Sequence, residues 1–316
     1  MKTLFNLNIL LYAPEFFDLH SQIIESLKNL GANVTYCRDK PSVINPRYTQ
    51  SSLRKVKQLV YYLVNPDKLY TKYLLNRLAK QPFDILFCID GFSLTPEFIL
   101  EIRRRNPDIK CVLYLWDSIK YFNFNYTARF FDYVSTFDKF DAEKFKFIYK
   151  PLFWMPYEKN TLCCIPEYDI SFIGSLHSTR YAYLKLLGNN FKEKNVRTYF
   201  KLVVNNQKIM FRHIKYIYHK IWNSNTSYVT QYDYLRGKID DNLLSSIPVP
   251  RIEFESIMNK SNCILDLEIP GQAGQTNRLI AALANNKKVL TTNPAIADSG
   301  LFDSRQIMIL DWENMD

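Results

Sequence analysis

The stretch Cys263–Asn293, CILDLEIPGQAGQTNRLIAALANNKKVLTTN, decides the fold class. Its pattern predicts a buried strand, a polar turn rich in Gly and Gln, a helix that opens near Thr276, and a second buried strand at Lys288–Thr291. The first backbone N–H groups of a helix have no internal partner, and the helix dipole adds positive charge there. We therefore expect this turn to hold an anion, with Arg278 as a bidentate donor to phosphate.

The same alternation of strands and helices opens the chain. Asn8–Ala13 and Asn33–Cys37 are apolar runs on either side of a helical pattern over Phe16–Leu30, which predicts a βαβ unit and a parallel sheet. A second series begins with a strand at Asp169–Ile173, after a Pro- and Tyr-containing segment without periodicity. The sequence therefore predicts an α/β protein of two Rossmann-like domains.

Length is consistent with that division, because 316 residues suit two domains of about 150 residues each. We predict an N-terminal domain over 1–150, a linker over 151–167 and a C-terminal domain over 168–316. The two parallel sheets are expected to face each other across a cleft.

Charge and cysteine content narrow the class of protein. The net charge is +10, which suits nucleic acid, an anionic membrane surface or a phosphorylated substrate; a merely basic protein is the plain alternative. The six Cys form no C-x-x-C pair, and the four His have no zinc-ligand spacing. No apolar run approaches the roughly 18–20 residues that span a bilayer. These features predict a reduced, cytosolic protein without structural zinc.

The candidate ligand-binding residues lie at two strand-to-helix junctions. One is the segment FIGSLHSTR, in which Gly174-Ser175 is predicted to form a tight turn followed by a helix at Ser178–Leu187. A full G-x-G-x-x-G pattern is absent, and a plain turn is an equal alternative. The other is the opening segment. The candidate residues for binding this ligand, which the resemblance below identifies with a donor site, are Gly174, Ser175, Arg180, Glu268, Gln272, Gln275, Thr276 and Arg278.

Two further groups of carboxylates are candidates for metal binding or catalysis. Asp266 and Glu268 form a D-x-E pair that could hold a divalent metal, but we favour a structural role and expect no metal. Asp90, Asp117 and Asp138 each follow a predicted strand, at the sheet edge where α/β proteins bind ligands. Each is individually more typical of a cap. The candidate catalytic residues are Asp117, Asp90 and, as a competing base, His20.

Basic and aromatic side chains alternate between Lys208 and Trp222. Such a segment could rest on an anionic bilayer, although a charged solvent face over an aromatic core is commoner. Arg54, Lys55 and Lys57 with nearby tyrosines form a similar set. Nucleic acid would use the same residues, but no recognised nucleic-acid motif accompanies them.

The stretches NILLYAPEFFDLHSQIIESL, VLYLWDS, FDYVSTFDKFDAEKF, YKPLFW, DISFIGS and PGQAGQTNRLIAALANNKKVLTTN span both halves. In these stretches the chain resembles bacterial GT-B glycosyltransferases of lipopolysaccharide and capsule biosynthesis, related to CgeB-like proteins. The resemblance implies a nucleotide-sugar donor bound by the C-terminal half, an acceptor held by the N-terminal half, and no obligatory metal or cofactor. Members usually carry Glu three residues after the motif's Arg, where it would hold the donor ribose; this chain has Ala281.

These observations together predict a metal-independent glycosyltransferase of the hexosyl- or deoxyhexosyltransferase type. It would move a sugar from a nucleotide-sugar donor to a lipid-linked glycan, as a peripheral protein at the inner face of the bacterial inner membrane. No nucleic-acid partner is expected. The alternatives are a sugar-nucleotide or glycan-binding protein that has lost turnover, which Ala281 makes conceivable, and a basic nucleic-acid-binding protein.

Overall fold

The computed structural model describes residues 4–15, 19–40, 61, 63–79, 81–155, 165–177, 179–204, 212–222, 225–268 and 273–311. The chain divides into two compact units. The first is Met1–Met155 with Gln272–Gly274, and the second is Pro156–Gly271 with Gln275–Asp316.

The first unit is built on a six-stranded sheet. Its strands are β1 (Asn8–Ala13), β2 (Asn33–Arg38), β3 (Ile85–Ile89), β4 (Lys110–Leu115), β5 (Tyr133–Thr136) and β6 (Ile148–Tyr149). Every pairing is parallel, in the order β2-β1-β3-β4-β5-β6. Its helices are α1 (Leu19–Asn29), α2 (Pro66–Arg77), α3 (Pro96–Arg105), α4 (Asn125–Ala128) and α5 (Lys139–Phe145).

Local chemistry sets the ends of these helices. Thr95 caps α3 by accepting a hydrogen bond from the Phe98 amide, and Pro96 occupies the first turn, where no N–H is needed. Asp138 caps α5 by accepting from the amides of Phe140 and Asp141. The parallel strands are covered by apolar side chains, and the largest core cluster includes Leu10, Leu86, Phe98, Ile99 and Leu113, all at most 1% exposed.

The second unit repeats the plan. Its strands are β7 (Tyr168–Ser175), β8 (Thr198–Val203), β9 (Leu244–Ser245), β10 (Ser261–Asp266), β11 (Lys288–Thr291) and β12 (Ile307–Ile309). Its helices are α6 (Arg180–Glu193), α7 (Arg212–Ile221), α8 (Thr226–Leu235), α9 (Arg251–Asn259), α10 (Asn277–Ala284) and a 3₁₀ helix (Pro294–Asp298).

All pairings in the second sheet are also parallel, in the order β12-β11-β10-β7-β8-β9. Counted from β7 as the first strand, this is the order 3-2-1-4-5-6 of the dinucleotide-binding Rossmann fold. Its core packs Phe172, Leu184, Leu202, Leu265 and Leu267 between sheet and helices. The prediction of two Rossmann-like domains with parallel sheets is therefore confirmed.

The predicted strands are present in both halves, and β1 and β11 have the predicted bounds. The prediction that failed concerns Gly174 and Ser175. These residues form no tight turn, because they pair with Leu202 and Val203 as the last two residues of β7. The following helix begins at Arg180 rather than Ser178. Among the helices that the structure describes, none has the length and apolarity needed to cross a membrane.

Candidate functional site

The candidate donor-binding residues gather where the strand order of the second sheet reverses. β7 and β10 are neighbours, but their chain connections leave in opposite directions along the sheet. In open α/β sheets, ligands bind in the crevice outside the carboxyl ends of such strands. Gly174 and Ser175 end β7, Asp266 ends β10, and α10 begins just beyond the turn that follows β10.

Arg278 is nearly buried at this point, with 9% of its surface exposed. Its Nε donates to the Ile173 carbonyl at 2.9 Å, and its Nη1 pairs with Asp266 Oδ1 at 2.9 Å. The guanidinium lies 4.2 Å from the centre of the Phe172 ring. Burial lowers the pKa of Arg278, against the opposing effect of Asp266. Nε and Nη1 are therefore engaged by other groups of the protein, and Nη2 lies against Gly174.

Asp266 connects the elements around Arg278. Its Oδ1 also accepts from Thr276 Oγ1 at 2.5 Å, and its Oδ2 accepts from Thr291 Oγ1 at 3.0 Å. Thr276 in turn caps α10 by accepting from the Leu279 amide at 3.1 Å. This network fixes the start of α10 against β10 and β11, so the first N–H groups of that helix have a defined direction.

Arg180 extends the cationic cluster, and the neighbouring His177 is a neutral imidazole. Arg180 is 5% exposed, and its guanidinium donates to the carbonyls of Ser175 and Leu267. It lies 5.6 Å from the same Phe172 ring that supports Arg278. Burial lowers the pKa of His177 to about 3, and the positive charges of Arg180 and Arg278 add to that effect. The region is therefore electropositive, as an anion site requires.

The other candidate donor-binding residues differ in their surroundings. Gln275 is buried, and Gln272 lies outside the described residues. Burial, with the nearby charge of Asp266, raises the pKa of Glu268 to about 7, and no described residue bonds its buried Oε2. Ala281, the position at which the resemblance led us to expect Glu, is fully buried on α10. A carboxylate at that position would face the core rather than a ligand.

The acidic residues of the second unit include Asp266, for which a metal-binding alternative was considered. The described part of the chain contains no group of three or more His, Cys, Asp or Glu side chains placed to hold a metal ion. Asp266 uses both carboxylate oxygens on Thr276, Thr291 and Arg278. The structural role that we favoured for Asp266 thus has specific partners.

The candidate catalytic carboxylates lie at the carboxyl edge of the first sheet. Asp90 directly follows β3, which neighbours β1 at the reversal of strand order. It has a left-handed backbone with φ of 56°, and its Oδ1 accepts from the amides of Trp116 at 2.6 Å and Asp117 at 3.2 Å. Asp90 therefore holds the turn after β4. A non-glycine residue in this conformation carries strain that is typical of functional sites.

Asp117 is brought beside Asp90 by that turn. Burial raises the pKa of Asp117 to about 6. Burial also raises the pKa of Asp90, and the charge of Asp117 adds to it. The neighbouring hydroxyl, Ser118 Oγ, is buried without a described hydrogen-bond partner. Asp117 is the more accessible member of the pair, because Asp90 is only 3% exposed.

His20 and Asp138 are placed differently from this pair. His20 lies in the first turn of α1, where its ring stacks on Tyr36 at 5.3 Å and its Nε2 lies 3.3 Å from Ser21 Oγ. Its buried Nδ1 has no partner among the described residues. Asp138 accepts two amides at the start of α5, which is the capping role that we considered typical.

Two residues that support the candidate site residues were not identified from the sequence. Phe172 supports both guanidiniums, but an aromatic residue in an apolar strand gives no sequence signal for that role. Asp39 follows β2 and holds the loop after β3 by accepting from the amides of Phe92 and Ser93 and from Ser93 Oγ. The rule that selected Asp90 and Asp117, a carboxylate after a buried strand, would also have found Asp39.

Comparison with solved structures supports the GT-B fold. A glycosyltransferase of kitacinnamycin has a TM-score of 0.50 at 11% identity, covering 98% of this chain and 88% of that one. The UDP-GlcNAc 2-epimerase of Methanocaldococcus jannaschii has a TM-score of 0.50 at 11% identity, covering 96% and 88%. A UDP-forming trehalose-phosphate synthase of Burkholderia xenovorans has a TM-score of 0.52 at 9% identity, covering 92% and 85%.

Sequence comparison adds no narrower family. No protein-family model matches the chain, and no curated protein matches it. At identities of 9–11% the structural likeness establishes the fold alone.

The close approach of Gly174 to Arg278 gives a first prediction. A Cβ at Gly174 would lie 2.5 Å from Arg278 Nη2 and 3.0 Å from the Phe172 ring. Gly174→Ala should therefore lower the free energy of unfolding by about 1–3 kcal/mol through overpacking. Gly188→Ala, within α6, is the matched control, since the atom nearest to its Cβ would be Phe200 Cδ2 at 3.9 Å. The control should gain about 0.5–1 kcal/mol in urea denaturation. Equal effects would contradict the packing argument.

The raised pKa of Asp117 gives a second prediction. Because this carboxyl ionises near pH 6 when folded and near 3.8 when unfolded, the folded state binds more protons between these values. The free energy of unfolding should fall as pH rises through that window, and Asp117→Asn should remove this loss, which is about 3 kcal/mol.

Asp132→Asn is the control of opposite sign. Burial raises the pKa of Asp132, but the Cys111 amide and Arg103 outweigh it, so its pKa is lowered. This variant should lose stability at neutral pH. Chemical denaturation of the original protein and both variants from pH 4 to 8 measures the free energy of unfolding. The same pH dependence in all three proteins would contradict the prediction.

Proposed function

We propose that this protein is a glycosyltransferase that uses a nucleotide-sugar donor. The observation that carries the proposal is the cationic, helix-terminated reversal point of the second sheet, formed by Gly174, Arg180, Thr276 and Arg278. The fold neighbours support it, since they include a glycosyltransferase and a UDP-forming synthase. The epimerase among them was solved with UDP-GlcNAc and UDP, which belong to the class of ligand proposed for this protein.

Donor binding would follow from the positive charge at this site. The diphosphate of the donor would meet the first N–H groups of α10 and the Nη2 of Arg278. Arg278 is already locked by Asp266 and the Ile173 carbonyl, so binding would cost little side-chain entropy. The same groups would stabilise the charge that develops on the leaving diphosphate, without a metal ion. Glu268 would take the ribose contact in place of Ala281.

Asp117 is proposed as the base that activates the acceptor hydroxyl. In the reaction the acceptor oxygen bonds to the anomeric carbon, its proton passes to Asp117, and the bond from that carbon to the diphosphate oxygen breaks with its electron pair. A carboxyl that ionises near pH 6 combines an ionised fraction at neutral pH with useful basicity. Asp90 would position it through the amides of Trp116 and Asp117. His20 remains the competing base.

The acceptor class is proposed to be a lipid-linked glycan of lipopolysaccharide core or capsule biosynthesis. The net charge of +10 suits an acceptor that carries phosphate at an anionic bilayer. The protein would then act as a peripheral protein at the inner face of the bacterial inner membrane, on a hexose or deoxyhexose.

Donor binding is tested by thermal shift with UDP, GDP, CDP and dTDP. At least one should raise the melting temperature, because it binds only the folded state. Arg278→Lys keeps the charge beside Asp266 but loses the planar fork, so affinity should fall about 10–100-fold. Arg197→Lys is the matched control, because Arg197 forms an exposed pair with Asp169 in the same unit. If no nucleotide stabilises the protein, the proposal is wrong.

Turnover is tested by release of nucleoside diphosphate from UDP-glucose, UDP-N-acetylglucosamine and GDP-mannose. Asp117→Asn should lower kcat about 10²–10⁴-fold and remove the acidic limb near pH 6 from the kcat/KM profile. Asp132→Asn, at the opposite end of the sheet, should retain activity. Nucleotide binding without turnover on any donor would instead favour the non-catalytic binding protein.

A further inference from the structure

The helical hairpin of α7 and α8 carries an exposed apolar face. Ile217, Tyr218, Ile221 and Trp222 are 43%, 56%, 70% and 71% exposed. A helix turns about 100° per residue, so these four side chains lie within an arc of about 140°. The Trp222 amide bonds the Tyr218 carbonyl at 3.1 Å, which extends the helical turn to Trp222.

The opposite side of α7 already has its packing partner. Tyr216 is 5% exposed and stacks on Tyr232 of α8, with ring centres 4.2 Å apart. Tyr228 and Val229 complete this small core. Because the inner side of α7 is satisfied within the hairpin, its four exposed apolar residues are not a misplaced core face.

The charge around this face is entirely positive on α7. From 194 to 232 the sequence contains no Asp or Glu, and its cations are Lys194, Arg197, Lys201, Lys208, Arg212, Lys215 and Lys220. Lys220 donates to Tyr216 Oη at 3.0 Å, and Lys238 lies 5.5 Å from the Tyr216 ring. Arg236 lies 5.5 Å from the Tyr232 ring. Lys220 of α7 therefore lies beside the apolar face, whereas Arg236 and Lys238, which follow α8, lie on the Tyr216 side, where Lys238 also pairs with Asp233 at 3.8 Å.

We propose that the outer face of α7 docks onto an anionic lipid bilayer. Aliphatic Ile217 and Ile221 would enter the boundary between headgroups and acyl chains, with Trp222 and Tyr218 at the interface and the cations on lipid phosphates. This lays α7 in the membrane plane. The biological reason for such docking rests on the proposed lipid-linked acceptor, but the physical argument does not.

Two other occupants fit the face less well. A second copy on a two-fold axis would bring the cations of one α7 against those of the other. Nucleic acid would satisfy the cations and could stack on Trp222, but it offers nothing apolar for Ile217 and Ile221. Both occupants are outcomes of the test below.

The test is sedimentation of the full chain with vesicles of phosphatidylcholine, with and without 30% phosphatidylglycerol (about one lipid in three). No nucleotide is added, so failure here and failure of donor binding are separate results. The protein should bind the anionic vesicles, and salt should weaken binding. The double variant Ile221→Ser and Trp222→Ser should lower the partition constant at least about tenfold.

The matched control is Leu186→Ser with Ile252→Ser, two side chains of the same unit that are 51% and 61% exposed. This variant should bind like the original protein. Trp222→Phe should retain binding but lose the blue shift of tryptophan fluorescence on vesicle addition. Absence of vesicle binding, or equal loss in both double variants, overturns the proposal. So does a dimer, or an oligonucleotide complex, that the Ile221/Trp222 variant abolishes while vesicle binding persists.

Discussion

The buried ion pair between Arg278 and Asp266 is the interaction on which the second unit's candidate site depends. A buried charge is tolerated only when paired and hydrogen-bonded, and here one carboxylate holds Arg278, Thr276 and Thr291 together. Those residues belong to α10, its cap and β11. The guanidinium then ties them to β7 through the Ile173 carbonyl. One ion pair therefore sets the relative positions of the strand ends and the helix N-terminus.

The first unit also has a buried carboxylate at its reversal of strand order, but backbone amides rather than an arginine bond to it. Asp90 is buried and accepts hydrogen bonds from two backbone amides, and among the described residues no side-chain cation donates to it. Its charge is disfavoured by burial and by Asp117, so the pair resists full ionisation. The second unit gathers fixed positive charge at its reversal point, whereas the first gathers carboxylates whose ionisation is adjustable. The two reversal points thus suit an anion and a proton transfer, respectively.

Sequence was sufficient where local pattern determines structure. The apolar runs of β1 and β11 needed no tertiary information. It failed at Gly174-Ser175, because pairing with β8 overrode the local turn preference of these residues. The sequence did not predict that Arg278 Nε and Nη1 bond to the Ile173 carbonyl and to Asp266, because Ile173 lies 105 residues away in the chain. Contacts across adjacent parallel strands leave no local signature.

The role of Arg278 is accordingly more constrained than a phosphate-binding arginine on an open loop. Its Nη2 lies where a side chain at position 174 would be, and its guanidinium packs on the Phe172 ring. If the proposed donor binds here, a guanidinium held in this way would act as a fixed hydrogen-bond donor rather than one that follows the ligand. Lysine would supply the charge but not the simultaneous bonds to Asp266, Ile173 and a third group. The geometry therefore requires arginine at 278 and glycine at 174 together.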